Sequence, residues 1–324
     1  MERMNEPIRI ICMTYRLLPC VALLALAGCD IDEAFADSQK FTEDFHHSYA
    51  LKSGGRFDLD SFNGSVEIYG WDQEKVEING TKYASTRDFM NEIKIDISHT
   101  PDSILIKTVR PDWGGAYLRG NRGVKFRIHV PKRMQFDRIA TSNGSMRLEG
   151  VEGRGRFRTS NGSMTLISYQ GDIEANTSNA KILLDRFSGS ATLGTSNARI
   201  EARGVKGFLE ARTSNGPIEI ETNELDPSRP VKLETSNGPI TMRIGGKNSP
   251  EVRARTSNGS ISVKLPEGAG ARVRAHTSNS AVSSDYPLNN KSNVSKAHME
   301  GTIGAGGALL DLTTSNGPIR LLRE

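Results

Sequence analysis

The thiols of this 324-residue chain are confined to one short stretch. All three cysteines, Cys12, Cys20 and Cys29, lie within the first 29 residues. Cys29 follows the small-residue sequence Leu-Ala-Gly at 26–28, which ends an apolar run over 17–28. That run is shorter than the ~20 residues a membrane-spanning helix needs, and small residues before a cysteine admit a signal peptidase. The pattern is typical of a bacterial lipoprotein signal, with Cys29 as the lipidated residue and the membrane as its partner.

This interpretation sets expectations for the whole amino terminus. Residues 1–28 are predicted to be a signal peptide, and residues 29–40 a lipidated tether. Met13 is an alternative start, because a compact basic segment follows it directly. The expected location is the cell membrane or the outer membrane, facing the periplasm or the exterior. Asp30, directly after the lipidated residue, resembles an inner-membrane retention signal and favours the inner membrane.

The other chemically capable residues form no reactive group. Six histidines are scattered without acidic or cysteine ligands at a supporting spacing, and no phosphate-binding or dinucleotide fingerprint occurs. We therefore predict no catalytic residue, no cofactor and no metal. The aromatic patch of Trp71, Trp113 and Tyr117 is a candidate glycan contact, with a structural loop as the alternative. A net charge of +4 gives no support to nucleic-acid binding.

The elements that would position these residues follow from a repeat. The tripeptide Thr-Ser-Asn occurs nine times, first at intervals of 18 residues and later at 22, 21, 21 and 37, where insertions are expected. Serines and threonines this regular are not nucleophiles, since a catalytic serine is needed once. Stacked units would align the asparagines into a corner ladder: Asn143, Asn161, Asn179, Asn197, Asn215, Asn237, Asn258, Asn279 and Asn316.

Each unit alternates apolar and polar residues on both sides of the tripeptide. Apolar residues stand two and four positions before the threonine, then five and seven positions after it. This period of two predicts strand, corner, strand and turn. Asn and Gly suit the corner because they tolerate positive φ, and an Asn-Gly hairpin is rejected because hairpins give no fixed period. We predict an all-β fold, a single-stranded parallel β-helix solenoid over 136–324, right-handed by the chirality of parallel crossovers.

The segment 41–135 is β-rich but irregular. Residues 53–68 read as a degenerate first coil, and further alternating stretches predict strands that cap the open end of the helix. Only 6% of residues are aromatic and 36% are hydrophobic, with 32 glycines, which favours thin β layers over a large globular core.

Residues 45–324 resemble a bacterial family of unknown function described as candidate adhesins, built from degenerate β repeats with a recurrent Thr-Ser-Asn-Gly. The shared features are Gly54-Gly55, the Asn-Gly-Ser-Val sequence at 63–66 with Trp71 after it, the His-Val-Pro sequence at 129–131 and the Gly-rich segment 301–307. The resemblance implies a β-helix and an envelope location, and it brings no catalytic residues. Copies that end in Asn-Ala or Asn-Ser depart from the motif.

Together these observations predict a lipid-anchored, non-enzymatic envelope protein used for binding or scaffolding. Its partner would be an envelope glycan or another envelope protein. Two alternatives stay open: an enzyme acting on envelope polysaccharide, since such enzymes also use β-helices, and a scaffold that associates with itself through the coil ends. The oligomeric state is open.

Overall fold

The computed structural model describes residues 41–109, 122–246, 250–292 and 294–324. Within these ranges the chain forms 26 strands and one short helix. The first part contains β1 (Phe41–Ala50), β2 (Arg56–Asp60), β3 (Val66–Trp71), β4 (Lys75–Ala84), α1 (Arg87–Glu92), β5 (Lys94–Thr100), β6 (Ser103–Val109) and β7 (Arg122–Pro131). The repeats then contain β8 (Phe136–Ala140), β9 (Met146–Glu149), β10 (Gly155–Arg158), β11 (Met164–Ile167), β12 (Gln170–Asn176), β13 (Ile182–Asp185), β14 (Ser188–Gly194), β15 (Ile200–Arg212), β16 (Ile218–Leu225), β17 (Val231–Glu234), β18 (Ile240–Ile244), β19 (Val252–Arg255), β20 (Ile261–Leu265), β21 (Ala271–Thr277), β22 (Val282–Ser284), β23 (Leu288–Ser292), β24 (His298–Ile303), β25 (Leu309–Thr314) and β26 (Ile319–Arg323).

Two parallel ladders of strands run along the repeats. Strands that precede a Thr-Ser-Asn corner pair with one another, as β8, β10, β12 and β14 do, and strands that follow it pair as β9, β11, β13 and β15 do. The register advances by one whole repeat, so Met146 lies beside Met164 and Met164 beside Ile182. The fold is therefore all-β and solenoid-like, as the 18-residue period predicts.

The core is a column of stacked side chains. Rows of equivalent residues are almost completely removed from solvent, and the residue two positions before each threonine is at most 1% exposed. This confirms the predicted inward positions: Ile139, Phe157, Ala175, Leu193, Ala211, Leu233, Ala254, Ala275 and Leu312. Rings from the third inward row join this column, as with Tyr169, whose ring centroid lies 5.9 Å from that of Phe157. Burial of like residues above and below one another is what joins the coils.

The order of coils at the carboxyl end differs from chain order. β19 pairs with β25 and β20 with β26, and only then do β25 and β26 pair with β21 and β22. The last coil of the chain is thus inserted between the two coils before it. The 37-residue interval was expected to be a loop insertion, and that interpretation is wrong, because it holds a strand hairpin and the return of the chain into the stack.

At the amino end, too, the order of coils differs from chain order. β2 pairs with β6 on one side and β8 on the other, and β3 lies between β7 and β9. Antiparallel strands then complete this end, with β5 on β6, β4 on β7 and β1 on β4. Residues 53–68, read as a degenerate coil, therefore pair in parallel with the first regular repeat.

A second line of glycines marks the turn opposite the corner. Gly171 and Gly189 have φ of +132° and +134°, and a Cβ on either would lie 2.1 Å from the carbonyl oxygen of the equivalent glycine one coil below. Positive φ and close approach of two backbones both require glycine here. The turn therefore fixes how tightly successive coils stack.

Candidate functional site

The threonine of the repeated tripeptide points inward. In a representative coil, the Thr235 hydroxyl donates to the carbonyl oxygen of Gly216 in the next coil at 3.0 Å and accepts from the amide of Gly238 at 3.3 Å. Thr235 is only 7% exposed. A buried hydroxyl with both roles satisfied holds two coils and its own corner together. It is a structural clamp and offers no reactive oxygen at the surface.

The asparagines of the motif form one continuous column. Each side-chain amide donates to the side-chain oxygen of the asparagine in the adjacent coil, at 2.5–2.8 Å. All nine asparagines named from the sequence stand in this column, and Asn63 adds a rung before Asn143. The column follows the spatial order of coils, so Asn316 lies between Asn258 and Asn279.

The glycine that ends most corners has a different role from the one expected. The expectation was that Gly and Asn supply positive φ at the corner, and this is wrong for the repeat corners. Among described residues, Gly64 has a positive φ, but neither the later corner glycines nor the ladder asparagines do. A Cβ on Gly162 would instead lie 1.7 Å from the carbonyl oxygen of Gly144. Close packing of successive coils explains the glycine, while Ala180 and Ala198 show that a corner can also form around a Cβ.

The serines of the motif make a row of free hydroxyls. Each one is exposed, and within the described ranges no side-chain hydrogen bond involves its hydroxyl. Most of their backbone carbonyls accept from amides of the neighbouring coil, as Ser214 does from Asn237 at 2.9 Å. The row comprises Ser142, Ser160, Ser178, Ser196, Ser214, Ser236, Ser257, Ser278 and Ser315. We call the two parallel rows, these serines and the column of asparagines, the corner strip.

A shallow groove of about 500 Å³ runs beside the middle of the corner strip. Arg212, Glu234 and Arg255 line it together with motif threonines and serines. Arg212 bonds Glu234 at 3.0 Å, and this hydrogen bond raises the pKa of Arg212. Arg255 lies 3.7 Å from Asp311. Because these charges are already paired, the groove suits an uncharged polar ligand better than a polyanion.

Outward-facing arginines of the repeats are paired in the same way. Arg199 bonds Glu219 at 2.9 Å, and Arg147 bonds Glu149 at 2.7 Å. Lys181 and Arg203 both bond Glu201, and the hydrogen bond from Lys181 is the main reason that the pKa of this carboxyl is lowered. These outward charges therefore neutralise one another.

The aromatic patch falls partly outside the described residues. Trp113 and Tyr117 lie in the undescribed segment 110–121. Trp71 stacks on His129 with ring centroids 5.1 Å apart, its indole N–H donates to the Lys75 carbonyl, and the Lys75 ammonium lies 5.0 Å from its centroid. These contacts already occupy much of the Trp71 ring, which limits its use as a sugar platform.

The described residues give no reactive constellation. They contain no group of three or more His, Cys, Asp or Glu side chains placed to hold a metal. His46 bonds the Asn79 side chain at 2.9 Å, and His47 stacks on Tyr49. Burial raises the pKa of Asp58, and the nearby Asp137 carboxylate raises it further, while the amide hydrogen that Asp58 accepts from Arg138 lowers it.

The amino-terminal predictions concern residues outside this description. Cys29 and Asp30 both lie in the undescribed segment 1–40. Among the helices that are described, none has the length and apolar character needed to cross a bilayer.

Comparison with known proteins identifies the family to which the chain is similar. Residues 55–322 match the family described as Toastrack DUF4097. Similar solved structures include a candidate adhesin from Bacteroides fragilis (12% identity, 86% of this chain and 97% of that one, TM-score 0.40). Another is a candidate adhesin from Parabacteroides merdae (10% identity, 86% of this chain and 96% of that one, TM-score 0.40). A third is a candidate lipid-binding protein from Parabacteroides distasonis (12% identity, 86% of this chain and 97% of that one, TM-score 0.37). A comparison with curated proteins finds no match.

Proposed function

Since the chain belongs to the Toastrack DUF4097 family, we propose that it is a lipid-anchored, non-enzymatic protein of the bacterial cell envelope, and that its corner strip binds an extended, uncharged glycan. The observation that carries this proposal is the row of exposed serine hydroxyls beside the asparagine ladder. These hydroxyls have no protein partner within the described ranges, so they are free to bond a ligand.

The spacing of the corner strip favours a long ligand over a compact one. Hydroxyls and amides recur once per coil, at the ~4.8 Å separation of neighbouring strands. A linear polymer lying along the strip would meet the same donors and acceptors at each step. Each contact is weak in water, so affinity would grow with the number of coils engaged.

The test compares two matched double variants. Ser214→Asp with Ser236→Asp places two carboxylates on adjacent coils in the groove. Ser145→Asp with Ser163→Asp places them on adjacent coils two residues beyond the ladder asparagines, at exposed positions that do not line the groove. We expect the first variant to lose co-sedimentation with insoluble, uncharged envelope glycan and the second to retain it. Equal retention by both variants would remove the strip from consideration as the binding site.

We propose the membrane anchor on the sequence pattern at 26–29. Cys29→Ala should move the protein from the membrane fraction to the soluble fraction, because the thiol that carries the acyl chains is missing. Mass spectrometry of the wild-type amino terminus should find acylated Cys29 and no residues before it. A variant that stays with membranes in high salt would show that something other than acylation holds it there.

The finer architecture also belongs to this proposal. Right-handed winding is favoured by the chirality of parallel crossovers. The antiparallel strands β1, β4 and β5 support a capping role for 41–135, because they cover parallel edges that would otherwise recruit other chains. A crystal structure of the protein tests both points directly.

A further inference from the structure

The outermost strand at the amino end is a long open edge. β1 pairs in antiparallel register with β4 over ten residues without a bulge, and no other described strand pairs with it. Seven of its ten residues are exposed. At the other end of the molecule, β22 has three residues and the register of β23 is interrupted. Short and irregular edges resist pairing, whereas a long regular edge invites it.

The sequence of β1 is complementary to itself in one antiparallel register. Two copies related by a twofold axis perpendicular to the sheet must pair residues whose numbers sum to an even value, because directly opposite side chains share a face. When the numbers sum to 90, Phe45 meets its own copy and the remaining pairs are chemically matched. They are Phe41 with Tyr49, Thr42 with Ser48, Glu43 with His47, and Asp44 with His46.

Neighbouring registers lose this match. A shift to a sum of 88 places Asp44 against its own copy, and a shift to 92 places His46 against its own copy. Like charges directly opposite one another destabilise a strand pair, which disfavours the sum of 88, and both shifts break the aromatic and acid–imidazole pairs that stabilise the sum of 90. Charge complementarity therefore selects one register.

The side chains involved are already held in extended positions along the edge. Asp44 accepts from the Thr81 hydroxyl at 2.6 Å, Glu43 bonds Lys82 at 2.8 Å, and His46 bonds Asn79. Phe45 packs against the core ring of Phe126 with centroids 6.0 Å apart. Little side-chain freedom is left to lose on pairing, which favours association.

We propose that two copies of this chain join β1 to β1 in the register that sums to 90, which makes one sheet continuous across a twofold dimer. The contact is isologous and therefore closes, so it gives dimers and not filaments. This interaction surface is independent of the glycan site and of the anchor, since it uses neither the corner strip nor Cys29.

Cysteine cross-linking in the full-length protein tests the register. Thr42 and Ser48 are exposed and would face each other across the axis, within disulfide reach. We expect the double variant Thr42→Cys with Ser48→Cys to give a disulfide-linked dimer on mild oxidation of intact cells. Each single variant should not, because each introduced thiol then lies about 20 Å from its own copy. A dimer band from the single variants, or none from the double variant, overturns the proposal.

Exchanging charges in the Thr42→Cys/Ser48→Cys variant distinguishes specific pairing of β1 from cross-linking by random encounters. Asp44→Lys should reduce the yield of cross-linked dimer at least fivefold, roughly the effect of losing two cross-strand pairs. Adding His46→Asp restores an opposite-charge pair across the axis and should restore the yield. The matched control Asp96→Lys changes a different exposed strand, β5, and should have no effect. Failure of the exchange to rescue, or an equal loss in the control, contradicts β1 pairing, and glycan binding measured in parallel reports on the proposed function separately.

Discussion

The buried threonine of each corner is predicted to contribute strongly to the stability of the stacked coils. Replacing Thr235 by valine keeps its shape but removes a hydroxyl that donates to the Gly216 carbonyl and accepts from the Gly238 amide. Gly216 and Gly238 are both buried. The turn and loop hydrogen bonds of the described backbone give neither the Gly216 carbonyl nor the Gly238 amide another partner. Leaving a buried polar group unpaired costs about 1–3 kcal/mol. The two together predict a loss of about 2–6 kcal/mol in the free energy of unfolding.

The adjacent residue supplies the matched control. Ser236 is exposed and its hydroxyl has no protein partner within the described ranges, so Ser236→Ala should change stability by no more than about 0.5 kcal/mol. Thr235→Ser keeps the hydroxyl and loses only a methyl group, which costs about 1 kcal/mol. The predicted order of destabilisation is therefore Thr235→Val, then Thr235→Ser, then Ser236→Ala.

Stability should be measured locally as well as globally. Solenoids can unfold in parts, so a urea titration followed by circular dichroism needs hydrogen exchange beside it. We expect Thr235→Val to accelerate exchange in β17 and β18, which flank the corner, and to leave β9 and β11 unchanged. If the valine variant were as stable as Ser236→Ala, the inward hydroxyl would not be the clamp between coils.

Three further predictions follow from other contacts. Gly189→Ala should destabilise the protein by more than about 2 kcal/mol in urea, since φ is +134° and the new Cβ would lie 2.1 Å from the Gly171 carbonyl oxygen; a neutral result would contradict the turn geometry. Asn197→Ala removes two exposed ladder bonds and should cost only about 1 kcal/mol by the same titration, and a larger loss would mean the ladder carries the fold. Glu201→Gln should be destabilising at pH 7. Lys181 lowers the pKa of Glu201 in the folded state, so the carboxylate stabilises the fold fully above its unfolded pKa of about 4.3. This stabilisation is lost as pH falls through the folded pKa. The difference in free energy of unfolding between variant and wild type should therefore become smaller from pH 7 to pH 3.

The paired surface charges allow equivalent charged residues to recur on successive coils without repelling one another. Rows of like residues recur on every coil, and unpaired charges of one sign would repel along the stack. Arg212 beside Glu234 and Arg199 beside Glu219 alternate in sign across neighbouring coils instead. The corner strip between the ladders then carries only neutral hydroxyls and amides.

The sequence by itself determined the repeating unit. A period of 18 residues with alternation on both sides of Thr-Ser-Asn defines two strands and a corner, and it identifies the inward residues by position. Leu193 and Ile200, for example, are buried as predicted. It also determined that the asparagines form one column, because in-register stacking places identical residues over one another. Such features are local, and neighbouring residues in the chain are sufficient to specify them.

Tertiary structure alone decided which coil lies on which. Since every corner carries the same motif, the coil at Asn258 can accept either Asn279 or Asn316 as its neighbour, and no local pattern distinguishes them. The choice of Asn316 depends on contacts far apart in the chain, including the pairing of β24 with β21 that occupies the outer side of the coil at Asn279. The corner glycine is a similar case: the sequence shows a small residue, and only the stacked coils reveal the carbonyl oxygen of the next coil where a Cβ would lie.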